Sequence, residues 1–212
     1  EDYASMEMRG FIEGMYSIWD YGSRESLMRF ARDYKMNTYM YASKDDSYHK
    51  NDTLYPDAEI QKIKDLVKVG EETKVEYGWS IHLSYFWGAS GTFDEKFERL
   101  MTKFQQLYDA GVRNFAMLND DFGGGEYSEI LRLLNKFDDE FIKTHDGCSN
   151  LVYCMKGYNK AWSGDGSELE SLKQLNETVY LYWTGDDVNA PITQSTVDFL
   201  KERTDGRIPV IW

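Results

Sequence analysis

The sequence predicts a parallel α/β barrel, and three observations carry that reading. Short runs rich in Val, Ile, Tyr, Phe or Met alternate with longer amphipathic stretches along all 212 residues. Each intervening stretch is long enough to return the chain to the same end of a sheet, which makes the strands parallel. The ends of the strand candidates carry Glu13, Lys44, Asp45, Asp46, Asp120, Asp121, Tyr158 and Thr184, the distribution of a barrel whose chemistry lies at its C-terminal face. An open doubly wound sheet with a dinucleotide site is disfavoured, because Gly10-Phe-Ile-Glu-Gly14 does not supply the Gly-x-Gly-x-x-Gly turn.

Taken in order, the first strand candidate, Gly10–Tyr16, precedes a helix over Ser23–Tyr34, and the second, Met36–Ser43, precedes a helix over Asp57–Val69. The third, Val75–Ser84, leads to Asp94–Ala110, where Phe97, Leu100, Met101, Phe104, Leu107 and Tyr108 form one helical stripe. Thr92 or Asp94 supplies its N-cap and Gly111 its end. Asn114–Asp120 is the fourth strand, and Ile130, Leu131, Leu134, Phe137 and Phe141 repeat the stripe over Ser128–Phe141. Strand Asn150–Lys156 with helix Ser167–Leu175, strand Val179–Gly185 with helix Thr193–Arg203, and strand Ile208–Trp212 complete the series. Proline occurs only at 56, 191 and 209, outside helix interiors or at a strand start. No linker composition or repeat divides the chain, so residues 1–212 read as one domain.

Composition narrows the function classes. With 37 acidic against 24 basic side chains the net charge is −13, which disfavours non-specific binding to nucleic acid or to an anionic membrane. No apolar run approaches the roughly 20 residues of a membrane span. The start, Glu1-Asp2-Tyr3, has neither the basic nor the apolar region of a signal peptide. Six Trp, 16 Tyr and 11 Phe serve the core first, and sugar sites also use aromatic faces. Cys148 and Cys154 flank a strand-like stretch about 20 Å long, too far apart to pair. His49, His82 and His145 lie in separate segments without zinc-type spacing, so neither metal nor cofactor is expected.

Four segments carry chemistry. Asn119-Asp120-Asp121-Phe122-Gly123-Gly124-Gly125 follows the apolar run Phe115–Leu118, placing adjacent carboxylates where a strand leaves the sheet. It reads either as a turn or as an acid and its partner, since two close carboxylates cannot both ionise freely. A phosphate-cradling loop is a poor alternative, because Asp120, Asp121 and Glu126 repel an anion. Tyr39–His49 puts Lys44 at the end of the second strand, where its ammonium can meet ligand hydroxyls, while Asp45 and Asp46 read as a surface salt-bridged turn. In the segment Cys154–Trp162, Cys154 and Tyr158 share parity and can face one mouth, although a lone cysteine is ordinarily a small buried residue. Tyr180–Val188 is an aromatic strand ending at Thr184, read equally as core or as pocket wall.

In this order the segments resemble the catalytic domain of glycoside hydrolase family 84, the O-GlcNAcases and related β-N-acetylglucosaminidases. The resemblance runs from Arg9 to Trp212 through Arg9-Gly-Phe-Ile-Glu-Gly14-Met-Tyr16, Met36–His49, Leu107–Ala116 leading into Asp120-Asp121, Tyr158-Asn-Lys-Ala-Trp162 and Tyr182-Trp-Thr-Gly185. It implies a (β/α)8 barrel and an exo-acting, retaining hydrolase that removes terminal N-acetylglucosamine. The nucleophile would be the substrate's own acetamido oxygen, passing through an oxazoline. Asp120 would orient the acetamido N–H and Asp121 would serve as acid and then base. Tyr158 would bond the acetamido group and Cys154 would line the pocket at its methyl. Lys44 and the Gly14 backbone would hold sugar hydroxyls, with Tyr16, Thr184 and Trp212 as walls. The partner implied is a GlcNAc-bearing glycan or glycoprotein, and the family favours a secreted or cell-surface bacterial protein.

The chain also departs from that pattern. Gly14-Met-Tyr-Ser-Ile-Trp19 is one residue shorter than the usual motif and lacks its proline, Ser43 replaces a proline, and Leu83–Gly88 replaces a Leu-Ser-Pro-Gly turn. Asn119 stands where an apolar or aromatic residue is usual. The family also continues with an Asn, an Asp and a second Asn beyond the position of Trp212. A (β/α)8 barrel typically takes about 250 residues, so the expectation is an incomplete barrel of about seven βα units, a piece of a longer protein or one completed by another chain. A carbohydrate-binding or interaction module descended from such an enzyme, and a hyaluronidase, are the alternative readings.

Overall fold

The computed structural model describes residues 6–14, 16–50, 52–122, 124–207 and 209–212. Its strands are β1 (Gly10–Glu13), β2 (Thr38–Tyr41), β3 (Glu76–His82), β4 (Asn114–Leu118), β5 (Val152–Cys154), β6 (Tyr180–Trp183) and β7 (Pro209–Ile211). Its helices are α1 (Tyr21–Asp33), α2 (Asp57–Thr73), α3 (Ser84–Trp87), α4 (Phe93–Asp109), α5 (Tyr127–Glu140), α6 (Ser167–Ser171) and α7 (Gln194–Arg203). The residues group into two compact units, Glu1–Ile81 with Thr92–Phe115, and His82–Gly91 with Ala116–Trp212.

In the first unit β1 pairs parallel with β2 and β2 with β3, so that Glu13 lies opposite Tyr41 and Tyr41 opposite Trp79. Every residue of β2 is buried, as expected of a parallel strand covered on both faces. Asp20 caps α1 by accepting the Ser23 N–H, and Thr92 with Glu95 forms a reciprocal capping box on α4. Phe97, Leu100, Phe104 and Leu107 of the expected α4 stripe are buried, and so is Lys103. Helix α2 runs on to Thr73 through Gly70, where a Cβ would meet the Val75 carbonyl oxygen at 2.8 Å. That close approach explains a glycine inside a helix, where it otherwise costs about 1 kcal/mol against alanine.

In the second unit β4 pairs parallel with β5, β5 with β6 and β6 with β7. One register level holds Leu118, Cys154 and Tyr182, so the loops carrying Asp120, Tyr158 and Thr184 all leave from the same end. The ladder continues past the strands: Asn119 N–H donates to the Cys154 carbonyl at 2.9 Å, and Thr184 N–H to the Tyr158 carbonyl at 3.0 Å.

The strands are shorter than the sequence predicts, most of all β5, because pairing stops where the polar end residues turn into loops. The expected helix Ser167–Leu175 divides into α6 and a 3₁₀ turn, Leu172–Gln174. Helix α3 falls where the end of the third strand and a loop were expected. Met15, in the first predicted strand, and Ile208, in the last, lie outside the described residues, as does Gly123 of the glycine run. Cys148 and Cys154 are not joined to each other.

Candidate active site

The strongest grouping of predicted residues lies in the second unit. Asp120 directly follows the end of β4 and is 6% exposed, whereas Asp121 is exposed. Asp121 has φ 57°, a left-handed conformation that costs a side-chain-bearing residue roughly 1–2 kcal/mol. Two neighbouring carboxylates therefore point into different environments from a strained turn, the kind of strain that collects at functional sites. Gly124 and Gly125 after them are held close by aromatic rings. A Cβ at Gly124 would strike the Phe122 ring, and Gly125, at φ 86°, lies against the indole of Trp87.

Tyr158 follows β5 and is held in an aromatic corner. Its ring centroid is 5.2 Å from that of Trp162 and 5.8 Å from that of Trp212, both edge-on, and Trp212 in turn lies 5.2 Å from Tyr182. Burial, then the carboxylates of Asp121 and Asp120, push the Tyr158 hydroxyl up to about 12. The phenol is thus a neutral hydrogen-bonding group near both acids throughout the physiological range. Cys154, fully buried, adds to the same field. Thr184 turns its hydroxyl to the Asp187 carbonyl at 2.9 Å, so it braces the loop after β6. Thr184, Ile211 and Trp212 with Val188, Ala190 and Ile192 line a recess of about 440 Å³.

Gly14, Tyr16 and Lys44 belong to the first unit. The Lys44 ammonium lies 5.9 Å from the centre of the Tyr16 ring, which is 74% exposed. A Cβ at Gly14 would meet nothing within 4 Å, so neighbouring atoms do not demand a glycine there. Asp45 accepts the Ser17 N–H. Asp46 corrects the expectation of a surface turn: it is buried and accepts from Tyr41 Oη, Tyr55 Oη and the Tyr48 N–H at 2.8, 2.6 and 2.8 Å. Glu13 is buried too, forked by Arg24 at 2.9 and 3.0 Å and reached by the Tyr39 hydroxyl.

Three polar residues that the sequence reading left without a role support these loops. Glu168 accepts the N–H groups of Lys156 and Gly157 at 3.0 and 2.8 Å, just before Tyr158. Lys103 donates to the Tyr48 and Thr53 carbonyls. His82 reaches the main chain of Asp120. No local pattern marks any of the three, since each finds its partners through the fold. Among the described residues, no group of three or more His, Cys, Asp or Glu is placed to hold a metal.

Parallel βα repeats thus place a carboxylate pair and an aromatic corner at the C-terminal strand ends of the second unit. The sequence profile of the beta-N-acetylglucosaminidase family matches residues 9–212, and the chain belongs to that family, glycoside hydrolase family 84. The solved structure of CpGH84D superposes with a TM-score of 0.91 at 33% identity, covering 100% of this chain and 37% of that one. CpGH84B gives 0.90 at 28% identity, covering 97% and 38%. The fold is accordingly that of the (β/α) barrel, with seven strands among the described residues. Protein O-GlcNAcase of Rattus norvegicus and that of Mus musculus are each 32% identical over 117 residues, 53% of this chain and 12% of theirs. The chain thus matches only a small part of the length of these curated relatives.

Proposed function

We propose that the chain carries the catalytic carboxylates of a retaining exo-β-N-acetylglucosaminidase that removes terminal N-acetylglucosamine with help from the substrate's acetamido group. The observation that supports this reading most is the Asp120–Asp121 pair at the end of β4, one buried and one exposed, within the field of the Tyr158 phenol. In the first step the acetamido oxygen forms a bond to the anomeric carbon while the glycosidic bond breaks. The exposed Asp121 gives its proton to the departing oxygen. Asp120 accepts the acetamido N–H and balances the positive charge of the oxazoline as it forms. In the second step water adds to the same carbon, Asp121 takes its proton, and the oxazoline opens with retention. Lys44 and the Gly14 backbone hold hydroxyls, Tyr158 bonds the acetamido group, and Cys154, Tyr16, Thr184 and Trp212 shape the pocket. A secreted or cell-surface bacterial setting belongs to the same reading, and fractionation of the source cells tests it.

The experiment is hydrolysis of a chromogenic β-N-acetylglucosaminide by the full-length gene product, with the anomer of the released sugar followed by NMR. Turnover with retention, and loss of about 10²–10⁴-fold in kcat on Asp121→Asn, is expected. Binding of N-acetylglucosamine without turnover would instead make the protein a sugar-binding module, and release of the α-anomer would exclude acetamido participation.

A further inference from the structure

We propose that His82, the last residue of β3, is a positioning residue that fixes the peptide joining the two carboxylates and so holds Asp121 in its left-handed conformation. The proposal rests on the catalytic reading of Asp120 and Asp121 for its kinetic consequence, while its structural content stands without it.

The partners of the imidazole determine its tautomer. Nδ1 faces the Ser84 main-chain N–H at 3.3 Å and the Ser84 hydroxyl at 2.7 Å. A main-chain N–H can only donate, so Nδ1 carries the lone pair and the ring proton is on Nε2. Nε2 lies 2.9 Å from the Asp120 carbonyl oxygen and 3.6 Å from Asp120 Oδ1. That carbonyl belongs to the peptide between Asp120 and Asp121. A donor on it sets the plane from which Asp121 departs at φ 57°. Helix α3 supplies the opposing anchor, because Ser84 is its first residue and holds the ring from behind. The Phe122 ring closes the remaining side edge-on, with centroids 6.0 Å apart. The ring is thus gripped on both nitrogens, one partner being the backbone of the acidic turn. A sugar need not touch His82 for the residue to matter, because it acts through the orientation of two carboxylates.

Two measurements test this, one of them independent of turnover. In a thermal-stability cycle His82→Phe keeps an aromatic ring without the donor, and Asp121→Gly replaces the strained residue by one that takes positive φ freely. His82→Phe is expected to lower Tm by several degrees alone and by less than half as much beside Asp121→Gly; additive effects would overturn the proposal. If His82→Phe does not fold, ring ¹⁵N shifts of the unaltered protein decide instead, with the Nε2–H tautomer expected and Nδ1–H overturning it. In kinetics His82→Phe should cost about 10- to 100-fold in kcat with KM nearly unchanged. His82→Gln, whose amide can donate to the same carbonyl, should recover most of that loss. Unchanged kcat in His82→Phe, or no rescue by His82→Gln, would remove the positioning role. Absence of turnover in the unaltered protein would refute the hydrolase reading alone and leave the cycle to decide about His82.

Discussion

The Lys103 ammonium lies 3.7 Å from the centre of the Tyr55 ring while donating to the Tyr48 and Thr53 carbonyls, both at 2.7 Å. This fully buried lysine of α4 ties down the segment between β2 and α2 that contains Lys44. Burial lowers the ammonium's pKa to about 7, and the Asp46 carboxylate offsets part of that fall. Replacing it by methionine leaves two carbonyls and a carboxylate buried without their cation. Lys103→Met should therefore lose about 3 kcal/mol in denaturant titrations near neutral pH.

The same residue makes stability depend on pH. Below about pH 7 Lys103 is charged in both folded and unfolded chains, and its burial penalty applies in full. Between there and the ordinary lysine value of 10.5 the unfolded chain holds the proton and the folded chain does not, so stability rises with pH. The contribution is at most ~1.4 kcal/mol per pH unit. Denaturation curves from about pH 7 to 9.5 should show this slope in the unaltered protein and not in Lys103→Met.

Tyr158→Phe separates the hydroxyl from the ring. The contacts with Trp162 and Trp212 survive, so Tm should fall by only a few degrees, on the order of what one buried hydroxyl contributes. kcat/KM should fall about 10- to 100-fold. Since the phenol stays protonated up to about 12, its ionisation should produce no alkaline limb in the pH profile of the unaltered enzyme below about pH 10.

Glu168→Ala strips the acceptor from two main-chain donors, Lys156 and Gly157. A loss of about 2–4 kcal/mol is expected, with Glu168→Gln losing less because its amide oxygen still accepts one bond. If the loop is displaced, KM should rise in Glu168→Ala at temperatures where the variant remains folded.

Gly125→Ala meets both a positive φ and the Trp87 indole at 2.8 Å. Destabilisation of about 1–3 kcal/mol is expected. An unchanged Tm would show that the turn after Asp121 can relax.

Much of the fold was legible in the residues themselves. The stripe from Phe97 to Leu107 marked α4, and Thr92 marked its start, because helical periodicity and capping are encoded within a few positions. The apolar run before Asp120 marked a strand for the same reason, and with it the placing of two carboxylates at a strand end. The ends of the strands were not legible: pairing in a parallel sheet is decided by the neighbour, and β5 pairs with both neighbours only over Val152–Cys154. Short α3 and the break after Ser171 carry too little periodicity to be read.

What the sequence by itself determined is the order of strands and helices, the aromatic character of the core and the carboxylate pair after β4. Only the tertiary structure decided which charged and polar groups are buried and whom they serve. Lys103 looks like a solvated lysine on α4 until Tyr48, 55 positions away, supplies its acceptor. Asp46 looks like a surface turn residue until three tyrosines close over it. His82 looks like an isolated histidine until the Asp120 peptide, 38 positions on, arrives beside it. For Lys103 and His82 the physical reason is the same, whereas Asp46 finds Tyr41, Tyr48 and Tyr55 close by in the chain. Periodicity and turn chemistry act between near neighbours, whereas a buried polar group is stable only beside partners that the chain brings in from a distance.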